Sequence, residues 1–194
     1  MAVVLEKFSL ERAASAVEKV QARLLKATGA LARSNVPYAV VGGNAVAAWV
    51  ARVDEAAVRN TRDVDILLRR ADLEIATTAL ESEGFVYRHI AGMDIFLDSP
   101  EAKAREAVHI VFAGERVRPD ELLSNPDVFD SEEADNFTIL SLQALVQIKL
   151  TAFQDKDRMH LRDLIDVGLV DSSMKKRFPP QLSERLQSLL DNPE

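Results

Sequence analysis

Tyr38-Ala39-Val40-Val41-Gly42-Gly43-Asn44-Ala45-Val46-Ala47-Ala48-Trp49-Val50-Ala51-Arg52, followed after a polar gap by Arg59-Asn60-Thr61-Arg62-Asp63-Val64-Asp65-Ile66-Leu67-Leu68, decides the reading of this chain. Ala39 to Val41 is a short apolar run stopped by two glycines, which suits a buried strand. The glycines permit positive φ and close approach of another group to the backbone. Asn44 is a suitable N-cap for the Ala/Val/Trp helix that follows. A glycine turn feeding a helix start exposes free backbone N–H groups, which favours an anion such as phosphate. In the second strand Asp63 and Asp65 are two apart, so both side chains leave on one face and Val64 and Ile66 on the other. Two carboxylates on one face repel unless a cation sits between them, and a hard divalent ion such as Mg²⁺ does this well.

The order of these motifs, Val41-Gly42-Gly43-Asn44 and then Thr61-Arg62-Asp63-Val64-Asp65-Ile66, resembles the signature of the nucleotidyltransferase superfamily. That signature is a strand, Gly-Gly or Gly-Ser, a helix, then Asp-x-Asp on the next strand. The closest resemblance is to small bacterial members, the minimal nucleotidyltransferases and AbiEii-type toxins. The bland alternative makes Gly42 and Gly43 a plain turn and the two acids exposed positions on an edge strand. The order and spacing of both motifs, with Thr61 and Arg62 just ahead of the acids, favours the resemblance.

Length and composition set the frame. The 194 residues suffice for one good core or two small lobes. No cysteine is present, which excludes disulfides, thiolate catalysis and cysteine–zinc sites. The net charge of −7 argues against a broad nucleic-acid groove. A local basic patch of Arg59, Arg62, Arg69 and Arg70 remains open beside its alternative, a solvated rim that partners acids. No apolar run approaches the ~20 residues of a spanning helix. Charges at Glu6, Lys7, Glu11 and Arg12 speak against a signal peptide, so a cytoplasmic location without membrane attachment is expected.

Residues 9–33 read as a helix capped by Ser9, with Leu10, Ala13, Val17, Val20, Leu24 and Leu31 at helical spacing. Residues 53–60 read as a loop in which Asp54 and Glu55 are solvated, the lesser alternative being extra metal ligands. Residues 72–83 read as a second helix stopped at Gly84. Residues 85–90 and 93–97 read as a hairpin around Ala91-Gly92, and residues 107–112 as a further strand. The resemblance implies a third carboxylate on that last strand, and His109 stands there instead. Imidazole is a poor magnesium ligand. His109 could act as a general base, touch a phosphate, or be held by a hydrogen bond with no chemistry. Asp94 and Glu115 are spare carboxylates; His89 and His160 lack ligand spacing and read as structural or surface.

Residues 115–137, rich in acids with Pro119 and Pro126, read as a surface linker. From Thr138 on, helices are expected: Ser141 to about Phe153, Met159 to Val167 after a charged turn at 154–158, and Gln181 to Leu190. The segment from Leu145 to Asp166 resembles the helical tail of AbiEii-type proteins, which implies that Lys149 faces a nucleotide and, more weakly, that Lys156 and Asp157 tie the tail together. The alternative makes Lys156, Asp157, Arg162 and Asp163 a local salt-bridge cluster worth a few tenths of a kcal/mol per pair.

The expectation is an α+β fold: a mixed sheet of nucleotidyltransferase type with flanking helices in residues 1–118, and a linker plus helical lobe in 119–194. The resemblance implies metal-dependent transfer of a nucleoside monophosphate from an NTP to an acceptor: a small molecule, a protein or an RNA 3′ end. Catalytic candidates are Asp63, Asp65 and His109. Nucleotide-binding candidates are Gly42, Gly43, Asn44, Thr61, Arg62 and Lys149. Asp63 and Asp65 would hold Mg²⁺ or Mn²⁺. A toxin–antitoxin partner is the implied protein contact. Two rival readings are a nucleotide- or partner-binding module that lost turnover with its third carboxylate, and a plain α+β domain.

Overall fold

The computed structural model describes residues 9–192; Glu6 and Lys7, which weigh against a signal peptide, lie outside them. Helix α1 (Leu10–Arg33) starts where Ser9 accepts a hydrogen bond from the Arg12 N–H. Its buried stripe includes Leu24, Ala27 and Leu31. Then come β1 (Tyr38–Val41), α2 (Gly42–Ala51), β2 (Val64–Leu68), α3 (Leu73–Ser82), the hairpin β3 (Val86–Ile90) and β4 (Met93–Leu97), and β5 (Val108–Phe112). The hairpin turns on Ala91 and Gly92, both at positive φ. The chain continues through β6 (Ser131–Glu133), β7 (Thr138–Leu140), α4 (Leu142–Ala152), α5 (Asp155–Asp166) and α6 (Pro180–Asp191).

The seven strands form one mixed sheet in the order β3-β4-β5-β2-β1-β7-β6. Pairs β2/β5 and β1/β7 are parallel and the others antiparallel. The fold class is thus the expected one, a mixed sheet with flanking helices and further helices toward the C-terminus. Strand β2 lies in the middle of the sheet, with Val64, Ile66, Leu67 and Leu68 buried. Its acids therefore do not belong to an exposed edge.

Three local expectations need correction. The segment 131–140 is not a plain linker followed by helix: Ile139 pairs beside Val40, and β6 covers β7. Three-residue strands are too short to show a period, and the acids of β6 suit a sheet edge that must not recruit further strands. Helix α2 begins at Gly42, with Val41 as an N-cap that makes no side-chain bond, so Asn44 lies inside the first turn. Helix α5 begins at Asp155, because Gln154 and Asp157 form a capping box that turns the charged segment into its first turn.

The C-terminal helices pack onto the sheet through α2. Trp49 of α2 is buried and its indole N–H donates to the Leu140 carbonyl, 3.1 Å. Leu145, Leu150, Leu161 and Leu164 of α4 and α5 join the same core as Val40 and Ile66. This packing brings the first turns of α5 to the end of β2. No helix among the described residues is long and apolar enough to cross a membrane.

Candidate active site

The site lies where β1 hands over to α2 and β2 and β5 begin. Asp65 sits beside Val41 across the antiparallel pair β1/β2, and beside His109 across the parallel pair β2/β5. In-register residues on neighbouring strands share a face, so the sheet itself lines up the acid and the imidazole. Asp63 follows on that face two residues earlier. One ligand atom from each of Asp63, Asp65 and His109 lies within 4.8 Å of the others, a group able to bind a metal ion.

The glycines are explained by this cluster. Gly42 has φ +65°, and a Cβ there would lie 1.9 Å from the Asp65 carboxylate oxygen Oδ2. A Cβ on Gly43 would lie 2.9 Å from Thr61. The bare backbone at the start of α2 thus lets the carboxylate lie directly against it, where the helix dipole favours negative charge. Asn44 donates its amide to the Asp63 carbonyl, 2.8 Å, and so ties α2 to the strand instead of capping the helix. Thr61 donates its hydroxyl to Asp63 Oδ1, 2.8 Å. The Arg62 carbonyl accepts from Arg23, 3.3 Å, while the Arg62 side chain is exposed.

Electrostatics follow from these contacts. Burial pushes the Asp63 carboxyl up, but the Thr61 hydrogen bond and the Lys156 ammonium together outweigh it and hold its pKa below the usual value. Lys156 Nζ reaches the Asp63 oxygens at 3.2 and 3.5 Å. His109 Nδ1 faces Asp65 Oδ1 at 3.5 Å, which is long for a hydrogen bond and is an electrostatic contact. The Asp65 carboxylate raises the His109 pKa against the opposing effect of burial, and the Ala104 carbonyl, 2.9 Å from Nε2, adds to the rise.

Other candidates are engaged by partners outside the Asp63, Asp65 and His109 group. Lys149 does not open onto the site: it is 6% exposed and its ammonium binds Asp157 Oδ1 at 3.0 Å. Asp94 is buried on β4, where it accepts from the Tyr87 hydroxyl at 2.6 Å and faces His89 Nδ1 at 2.8 Å. Glu115 takes both guanidinium bonds of Arg70, and Asp54 caps the turn Glu55–Ala57. Of the four arginines of the possible basic patch, Arg59, Arg69 and Arg70 pair with Asp163, Asp127 and Glu115.

Two hollows flank the acidic pair. One, of about 600 Å³, is walled by Gly43, Val46 and Ala47 of α2, the loop Arg59 to Asp63, and Lys156, Met159, His160 and Asp163 of α5. The other, of about 250 Å³, is walled by Asp65, Asp94, His109, Arg70, Glu115 and Arg116 among others. His160 and Asp163 were not among the site residues expected from the sequence. Both are buried, and the His160 pKa is pushed down to about 4, first by burial and then by Lys149 and Lys156. The signal that could have found them is the Gln154…Asp157 cap, which fixes the phase of α5 and turns Lys156, His160 and Asp163 to one side.

No family model matches the chain, and no curated protein matches it in sequence. In structure it is similar to the antibiotic-resistance factor ANT(2'')-Ia, with TM-score 0.51 and 14% identity over 93% of this chain and 92% of that one. It is also similar to an antigenic nucleotidyltransferase-like protein from Paracoccidioides brasiliensis, at TM-score 0.48 and 17% identity over 91% and 88% of the two chains. A third similarity is to JHP933 from Helicobacter pylori, at TM-score 0.47 and 16% identity over 96% and 77%. The first of these carries the structural conclusion: the chain shares the fold of ANT(2'')-Ia, and it brings together an Asp-Asp-His group at the strand ends that could hold a metal ion.

Proposed function

We propose that this protein is a metal-dependent nucleotidyltransferase, which moves a nucleoside monophosphate from an NTP to a hydroxyl-bearing acceptor and releases pyrophosphate. The observation that supports this most is the seating of the acidic pair against the side-chain-free start of α2. Anion-binding N–H groups and cation-binding carboxylates then meet within one small volume, as a metal–triphosphate requires.

The residues divide the work. The free N–H groups of Gly42, Gly43 and Asn44 donate to triphosphate oxygens. Asp63 and Asp65 hold the divalent ion, which when bound offsets the charge that builds as the α-phosphorus is attacked. The donor set fits such an ion: two carboxylates and an imidazole converge, and the like charges of the acids call for a cation between them. Thr61 orients Asp63 through its hydroxyl. Lys156, half-exposed on a flexible stem, exchanges Asp63 for a phosphate oxygen. Lys149 takes a positioning role, holding Asp157 and with it the first turn of α5. Base and sugar lie in the larger hollow, against Val46, Ala47 and Met159. The acceptor enters from the smaller one. Asp63 lines the first hollow and Asp65 the second, so attacking and leaving oxygens approach from opposite sides.

The reading without turnover draws no support from the site, since Asp63, Asp65 and His109 stay assembled. An AbiEii-type assignment and an antitoxin partner rest on the helical-tail likeness alone, and identification of proteins that co-purify with the chain tests them. The function is tested by incubating the protein with each α-phosphate-labelled NTP, a divalent ion and a cell extract. The expected result is one labelled acceptor, lost in both Asp63→Ala and Asp65→Ala. Labelling that survives both substitutions, or no labelling with any NTP, overturns the proposal.

A further inference from the structure

The third member of the cluster is a nitrogen donor, and its surroundings fix how it is presented. His109 Nε2 lies 2.9 Å from the Ala104 carbonyl oxygen. A carbonyl only accepts, so Nε2 carries the hydrogen. In the neutral ring the lone pair is then on Nδ1, the atom that faces Asp65 Oδ1 at 3.5 Å. With no proton on Nδ1, these two acceptors turned toward each other at this distance form a seat for a metal cation. The ring is not free to turn away: β5 holds His109 in register with Asp65, and Ala104 belongs to the turn Ala104–Glu106 just ahead of β5. A carbonyl that binds the far N–H is the arrangement that orients imidazoles on metal ions.

We propose that His109 Nδ1 is itself a ligand of the ion held by Asp63 and Asp65, and that the site therefore prefers a first-row transition-metal ion, of the manganese-to-zinc series, over Mg²⁺. The inference deepens the proposed function and rests on it for the use made of the ion. Its basis is ligand chemistry. Mg²⁺ takes oxygen ligands and gives up water reluctantly, whereas imidazole suits the later divalent ions. Ligand atoms on such an ion stand ~2.0–2.2 Å from it, so three atoms within 4.8 Å of one another close on it with small side-chain shifts. Lys156, which bonds Asp63 from an exposed position, yields its place as the ion enters.

The test uses the full chain without nucleotide. Mn²⁺ and Mg²⁺ are titrated calorimetrically, and the Mn²⁺ complex is studied by electron spin-echo envelope modulation, which detects a directly bound imidazole nitrogen. Mn²⁺ is expected to bind roughly tenfold or more tightly than Mg²⁺, with nitrogen modulation. In His109→Gln the modulation disappears, and in His109→Asp the preference moves back toward Mg²⁺. Three results overturn the inference: Mn²⁺ bound without nitrogen modulation, modulation that persists in His109→Gln, or an Mn²⁺/Mg²⁺ ratio unchanged in His109→Asp. Absence of any ion binding overturns it as well. Nucleotidyl transfer by a protein without the modulation removes this inference and leaves the proposed function; modulation without transfer does the reverse.

Discussion

Asp65 and His109 stand on two neighbouring strands, with Asp63 just ahead of the first; Lys156, His160 and Asp163 stand on one helix, and Asp63 shares a hollow with that helix group. They differ in what selects their partners. On the strands, a spacing of two and an in-register neighbour decide which groups converge, and the sheet enforces both. On α5, spacings of three and four invite local ion pairs, each worth ~0.2–0.5 kcal/mol on an open helix. The fold overrides most of them. Lys156 turns to Asp63, Asp157 to Lys149 and Asp163 to Arg59, and among the described residues of α5 only Asp155 and Arg158 pair locally. A helix pressed into a cleft gives its charges to whatever the cleft needs.

The strand side of this contrast carries the largest expected effect. Asp65→Ala and Asp63→Ala should each cut transfer by about 10³-fold or more, with circular dichroism unchanged, because a ligand to the ion is lost and no packing is. Activity near wild type in either would break the strand half of the comparison. Gly42→Ala strikes the same spot through the backbone. With φ +65° and a clash against Asp65 built in, it should cost ~2–4 kcal/mol in urea unfolding. A stable Gly42→Ala protein would mean that Asp65 does not lie against the helix start.

The helix side responds to pH and to charge removal. The folded-state pKa of His160 is about 4, against 6.5 for the exposed ring. The unfolded chain therefore takes up the proton first as pH falls. Stability is intact above pH 6.5 and is lost progressively down to about pH 4, by up to ~3 kcal/mol. Thermal melts across that window should show the slope, and His160→Gln should flatten it. Arg59→Ala removes the partner of the buried Asp163 and should destabilise by ~1–3 kcal/mol. Combining it with Asp163→Asn should recover part of that loss in a double-mutant cycle. Smallest is Lys156→Ala, expected to raise the KM for NTP by about tenfold with a lesser change in kcat. An unchanged KM would show that Lys156 serves Asp63 alone.

The legible parts of the molecule are those governed by short-range geometry. Ser9 and Ser141 cap α1 and α4, Ala91-Gly92 turns the hairpin, and Gly42 lies directly against Asp65. The parts that were not legible depend on neighbours far along the chain. Ser131–Glu133 and Thr138–Leu140 are strands only because β1 offers a free edge. Lys149 sits on a helix of mixed polarity, and only its burial against Asp157 shows that it does not open onto the cleft.

The amino-acid order alone determined that two carboxylates would share one face at the strand that follows a glycine-led helix, because β-strand alternation and the freedom of glycine act over two or three residues. Whether those carboxylates would meet His109, Lys156 and the wall of α5 was decided by the tertiary structure. Residues 93 positions apart, such as Lys156 and Asp63, come together only when the whole sheet has formed and α5 has docked against α2. No local rule encodes that encounter; the burial of a shared core does.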